Sequence, residues 1–166
     1  MEFYPEKFGA ILILSQIAAS LVADHLSMEN LQSLRKRMSS LQWEQDGEIY
    51  QHYFRIRIWK DKVPEMGNQF NKAHLAAISE AYLEQFILES ERAELCHGLA
   101  LVFALPILLN ADPSVTNWAI LYCLVANVPF ILIQRYNRPR FEKILKTRKK
   151  TEEACTIQTI PALSRR

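Results

Sequence analysis

Three runs of apolar residues interrupt an otherwise polar chain: Phe8 to Ala23, Leu95 to Leu109 and Trp118 to Gln134. Each is somewhat shorter than the ~20 residues that cross a bilayer core. Local thinning and interfacial side chains meet such a deficit, and Tyr4, Trp118, Tyr122 and Tyr136 are placed to act as anchors. No polar face runs through the third stretch, which argues against helices buried in a soluble bundle. The first run resembles a secretory leader in length. Its flank holds Glu2 and Glu6 against Lys7 alone, whereas a leader is normally net positive there, so a retained anchor is expected.

The pattern between the runs predicts a cytoplasmic loop over residues 24–94. Met28 to Leu41 has helical spacing through Leu31, Leu34 and Leu41. Tyr50 to Trp59 alternates from Phe54 onward, with Phe54, Ile56 and Ile58 opposed to Arg55, Arg57 and Trp59. That alternation predicts a strand or extended segment on the membrane surface, ended by Pro64 and Gly67. From Asn68 the spacing is helical again through Leu75, Ile78, Tyr82 and Phe86, and no breaker separates this helix from the second run. The chain therefore reads as one unit, residues 1–166. It is an all-α membrane protein with about three transmembrane or membrane-embedded helices, a cytoplasmic helical loop, a short extended segment and a basic tail over 135–166. The tail predicts a basic amphipathic segment from Phe141 to Lys150 and loose chain beyond it.

Composition alone hides this. The 166 residues are 49% hydrophobic and 23% charged, with a mean hydropathy of -0.07 and a net charge of +2. The distribution of charge is the informative part. Of the 20 lysines and arginines, Lys7 alone precedes the first run and none lies in the turn between the second and third. The tail is dense in them, so the positive-inside rule places the N-terminus outside and the C-terminus in the cytoplasm of a multi-pass protein. The three cysteines form no CxxC pair, and Cys96 and Cys123 lie inside apolar runs, where they read as small apolar fillers. His25, His52, His74 and His97 show no metal-ligand spacing, so no metal site is expected.

Chemistry concentrates at two places. In ESERAELCHG, Glu94 and His97 are three residues apart on one helical face, and Glu89 and Arg92 likewise. Ionisable groups where a helix enters lipid are costly unless paired or functional. An imidazole beside a carboxylate suits general-base work, with His97 as the base and Glu94 as its orienting partner. The competing reading is an interfacial salt-bridge cluster. In QRYNRPRF, Arg135, Arg138 and Arg140 flank Asn137 and Pro139. Their forks suit the phosphates of a donor, and Pro139 predicts an extended or turn geometry at Asn137 and Arg138. Asn127, within the third run, suits a hydrogen bond to a neighbouring helix. The segment holding Arg57, Trp59, Lys60 and Lys62 suits headgroups or an acyl donor, the membrane context arguing against nucleic acid. There is no Gly-rich phosphate loop, Ser-centred elbow or HxxxxD box.

The segments RIRIWKDK at 55–62, His74-Leu75, ERAELCH at 91–97 and ANVPFILIQRYNRPRF at 126–141 resemble those of the glycosyl-4,4'-diaponeurosporenoate acyltransferases, which complete staphyloxanthin-type carotenoids. The resemblance covers the chain beyond about Tyr53. The first 50 residues share only an apolar anchor. It implies a bacterial cell-membrane enzyme that esterifies a fatty acyl group onto the sugar of a glycosylated carotenoid or similar glycolipid. The implied co-substrate is acyl-CoA, with no resident cofactor, and the partners are membrane lipids, the acceptor and the donor. Carried over by position, the implied substrate-binding residues are Arg57, Trp59, Lys60, His74, Glu89, Arg92, Asn127, Arg135, Asn137, Arg138 and Arg140, around His97 and Glu94. Gly98 stands where an aromatic residue is expected. The alternative to an enzyme is a small membrane adaptor that binds anionic lipid or a partner enzyme.

Overall fold

The computed structural model describes residues 5–27, 29, 30, 33, 42–63 and 79–163. Among the described residues, five α-helices have defined bounds: α1 (Pro5–His25), α2 (Glu48–Phe54), α3 (Ile56–Trp59), α4 (Glu80–Leu109) and α5 (Pro113–Leu163). Two 3-10 turns, Gln42–Gly47 and Lys60–Lys62, flank the two short helices. Among the described residues there is no strand. Helices α1, α4 and α5 are long and apolar enough to cross a membrane. At 1.5 Å per residue, the 21 residues of α1 rise about 32 Å and the 51 of α5 about 76 Å, against a bilayer core of about 30 Å. Helices α4 and α5 therefore run on together well past the apolar layer.

Their ends are set by local chemistry. Ser79 caps α4 by accepting from the Tyr82 amide at 3.2 Å. Asp112 does the same for α5, accepting from the Ser114 amide at 2.9 Å. Hydrogen bonding from Ser114, by its side chain first and then its amide, holds the Asp112 carboxyl below the usual range. Asn110 closes α4, its amide donating to the Pro106 carbonyl at 2.7 Å. The residues 110–112 so form a tight turn, and α4 and α5 pack antiparallel.

The seam between the helices is lined by small side chains. Ala19 and Ala23 of α1, Ala100 and Ala104 of α4, and Ala119 and Cys123 of α5 are all buried. Large apolar residues point outward instead, with Leu14 61%, Val102 56% and Val125 62% exposed. A soluble core would show the reverse, because water drives large apolar groups inward. In lipid that drive vanishes and close backbone approach governs packing. The inverted arrangement is the one expected of helices packed in lipid and the opposite of a soluble bundle's. Leu12 joins this seam to Ala104, Ala119 and Cys123 near the turn end of the bundle.

At the other end residues 42–63 form a cap on α5. Tyr50 and Ile56 pack on Tyr136, with Leu132 and Ile133 beside them. The approach is close at Gly47, where φ is 85° and an added Cβ would lie 2.9 Å from the Tyr136 carbonyl oxygen. Only glycine suits that combination. Further along, Leu83 and Ile87 of α4 meet Leu145 and Phe141 of α5.

Several expectations are corrected here. Tyr50 to Trp59 is two short helices, not a strand. They break at Arg55, whose φ is 49°. Local hydrogen bonds close the break: the Arg55 amide donates to the Gln51 carbonyl at 3.1 Å, and Trp59 Nε1 donates to the Phe54 carbonyl at 2.8 Å. The alternation misled because Ile56 is buried while Phe54 and Ile58 are exposed, so the three do not share a face. Asn137 and Arg138 are helical rather than extended, since α5 runs straight through Pro139 with α4 on one flank and the cap on another. Helix α5 also continues past Lys150 to Leu163. The expected uninterrupted passage into the second apolar run is present as α4, which holds Tyr82 and Phe86. Leu75 and Ile78 lie outside the described residues, as does most of Met28 to Leu41.

Candidate functional site

Where α4 and α5 leave the apolar layer, an ionic network fills the space between them. Glu94 lies on the α5-facing side of α4. Arg135 donates through Nε to Glu94 Oε1 at 2.5 Å and through a terminal nitrogen to Glu44 Oε1 at 2.8 Å. Arg138 reaches Glu94 Oε2 at 2.7 Å. The Tyr50 hydroxyl donates to Glu44. Arg138, Glu44 and Glu94 are 1%, 0% and 6% exposed. Buried charges persist only when paired, and here two carboxylates meet two guanidiniums. Burial first, then the hydrogen bond to Glu44, pushes the Tyr50 phenol well above its ordinary pKa, so it stays a neutral donor.

One turn further along α4 stands His97. Its Nδ1 lies 3.0 Å from Asn127 Oδ1 on α5. Asn127 is fully buried, and its Nδ2 donates to the Cys123 carbonyl at 2.8 Å. With the amide nitrogen committed to a carbonyl, the amide oxygen accepts from the imidazole. That assigns the ring proton to Nδ1 and makes Nε2 the basic nitrogen. The ring also stacks on Phe130, with centroids 4.5 Å apart and planes 13° from parallel. An imidazole held at Nδ1 by an amide oxygen and backed by a ring can serve as a general base through Nε2.

This differs from the spacing argument in two respects. Both Glu94 oxygens bind guanidiniums, and Asn127 rather than Glu94 holds His97 Nδ1. Carboxylates also engage the arginines expected to form a phosphate ledge: Arg135 and Arg138 as above, and Arg140 through Glu48 at 2.7 Å. Arg140 further donates to the Tyr136 carbonyl at 2.5 Å and covers the Tyr136 ring at 3.6 Å from its centroid. These arginines staple the cap and α4 onto α5.

The remaining sequence candidates scatter around this centre. Glu89 and Arg92 pair on α4 at 3.2 Å, as their spacing implies. Arg57 donates to the Tyr136 hydroxyl at 2.8 Å, and Lys60 pairs with Asp61 at 2.6 Å. Trp59 packs on the cap core. Arg57, Trp59 and Lys60 therefore belong to the cap rather than to the His97 level. Asn137 is half-buried on α5 next to Arg138, and His74 lies outside the described residues. Three partners escaped the sequence reading. Phe130 follows Asn127 by three residues, the same spacing as Glu94 and His97, and was legible. Glu44 and Tyr50 were not, since Glu44 sits 91 positions from Arg135.

Residues 34–147, which include the whole network, match the family model for glycosyl-4,4'-diaponeurosporenoate acyltransferase. Curated proteins of that name from Staphylococcus aureus strains bovine RF122 / ET3-1 and USA300 are each 36% identical over 121 residues, covering 69% of this chain and 71% of theirs. The protein of that name from strain MRSA252 is 35% identical over 120 residues. No solved structure matches the chain.

Proposed function

The chain belongs to the glycosyl-4,4'-diaponeurosporenoate acyltransferase family, and we propose that it esterifies a fatty acyl group onto a sugar hydroxyl of a glycosylated carotenoid at the cytoplasmic face of the bacterial cell membrane. The acyltransferase activity follows from the family. The acceptor is taken from the name its relatives carry, and the donor is an acyl thioester such as acyl-CoA.

The observation that carries the reading is the His97–Asn127–Phe130 arrangement beside the Glu94 network. Asn127 holds the Nδ1 proton, so Nε2 takes the proton of the sugar hydroxyl as its oxygen attacks the thioester carbonyl. The new C–O bond forms and the carbonyl π pair moves onto oxygen. Collapse of the tetrahedral intermediate expels the thiolate, which receives the proton back from the imidazolium. The products are the sugar ester and a free thiol. Phe130 backs the ring, and the paired charges beneath keep α4 and α5 in register.

The test is His97→Ala in membranes containing glycosylated carotenoid and acyl-CoA. Loss of a positioned base lowers transfer by roughly 10²–10⁴-fold, while the variant should insert and retain its helix content. Parental rates of ester formation in that variant would eliminate His97 as the base.

A further inference from the structure

The cap presents a surface that its own packing leaves uncovered. Trp43, Tyr53, Phe54 and Ile58 are 57%, 71%, 51% and 63% exposed. Arg55 and Arg57 lie among them, both exposed. Chains in water rarely leave so many large apolar side chains open on about twenty residues. Cations alternate with them along the chain, so the exposed part of the cap is amphipathic rather than simply apolar.

Its depth is fixed by what it rests on. The cap is seated on Leu132, Ile133 and Tyr136, where the third apolar run ends at Gln134. Hydrogen bonds hold it there from both sides, Arg57 to Tyr136 at 2.8 Å and Arg140 to Glu48 at 2.7 Å. From Leu132 to Arg140 the helix rises only about 12 Å. That rise crosses the headgroup layer that borders a bilayer core, roughly 5–8 Å deep, and extends a few ångströms beyond it. Aromatic rings prefer that layer, and arginines there meet lipid phosphates.

We infer that the cap is an interfacial wedge: Trp43, Tyr53, Phe54 and Ile58 enter the headgroup–acyl boundary of the leaflet at the cap end, while Arg55 and Arg57 contact lipid phosphates. On α5, Leu121 and Val125 stand eleven and seven residues before Leu132, on the same side of the helix, and both are exposed. A second copy is the poorer occupant, because a two-fold contact would set Arg55 and Arg57 against themselves. The wedge is independent of the transfer reaction proposed above and would hold for a non-catalytic membrane protein.

Tryptophan fluorescence of the full chain in phosphatidylcholine vesicles tests this. Subtracting the signal of Trp43→Phe from that of the parent isolates Trp43, with no other substitution needed. Lipids brominated near the headgroup should quench that component, lipids brominated near the chain end should quench it less, and aqueous iodide should leave it unchanged. Ile58→Asp, at an exposed position, should weaken bromolipid quenching and admit iodide while helix content stays the same. Quenching by iodide without quenching by bromolipid in the parent would overturn the wedge. Shielding of Trp43 from both quenchers would overturn it too, since a protein or a second copy would then cover the face.

Discussion

The two ends of the α4–α5 pair are held together by opposite means. Near the 110–112 turn, Ala104, Ala119 and Cys123 pack as small apolar side chains, joined by Leu12 of α1. Near the cap, Glu94, Arg135, Arg138 and Glu44 make contact through charge, each buried group answered by another. The first mode tolerates sliding and rotation within the limits of shape. The second fixes which residue of α4 stands opposite which residue of α5. His97 and Asn127 lie between the two modes, close to the second, so the geometry around the imidazole inherits its register from the charged end.

The sharpest way to break this contrast is at Glu94. Glu94→Gln takes a carboxylate away from the Arg135 and Arg138 guanidiniums, and removing one member of a buried pair costs about 3–5 kcal/mol. Thermal unfolding in detergent, followed by circular dichroism, should show that loss. The double variant Glu94→Gln/Arg138→Met should recover part of it, because the buried positive charge that Glu94 answered leaves with it. Equal stability of the single variant and the parent would refute the division. The alanine seam should respond to size instead. Ala104→Leu forces the backbones apart and should cost about 1–3 kcal/mol. Leu105→Ala, next to it but facing out at 54% exposure, should change stability by no more than about 0.5 kcal/mol in the same assay. A greater loss at Leu105 than at Ala104 would restore the soluble-bundle picture. The smallest effect is expected at the turn itself. The native Asp112 carboxyl is held below its ordinary pKa, so its stabilisation is fully present above the unfolded value near 4 and fades as pH falls through the lower folded value. Asp112→Ala should lose a little stability at neutral pH and should converge with the parent in acid.

How much of this could be read from the chain follows from the range of each interaction. The long helices were legible because apolar runs and three- and four-residue spacings are local. The pairing of Glu89 with Arg92 was legible for the same reason. The match of Glu94 with His97 had the right spacing but the wrong partner, since guanidiniums from residue 135 onward compete for that carboxylate and win on charge. The cap was misread because alternation in Phe54, Ile56 and Ile58 measures polarity along the chain and not which side meets Tyr136. Its turn depends on left-handed backbone at Gln45, Asp46 and Gly47, and only the glycine advertises such a conformation. Pro139 suggested a break, but packing on both flanks of α5 outweighed its local preference.

The closeness of the alanine seam has a bearing on delivery. Among the described residues, helices that touch through methyl groups leave little room between them for a long hydrocarbon. On the function proposed above, a polyene or acyl chain would stay dissolved in the leaflet and meet the protein sideways, with only its polar end reaching the imidazole. Supply becomes a matter of lateral diffusion, and turnover at low acceptor levels should follow molecules per unit area of membrane rather than molecules per volume of suspension.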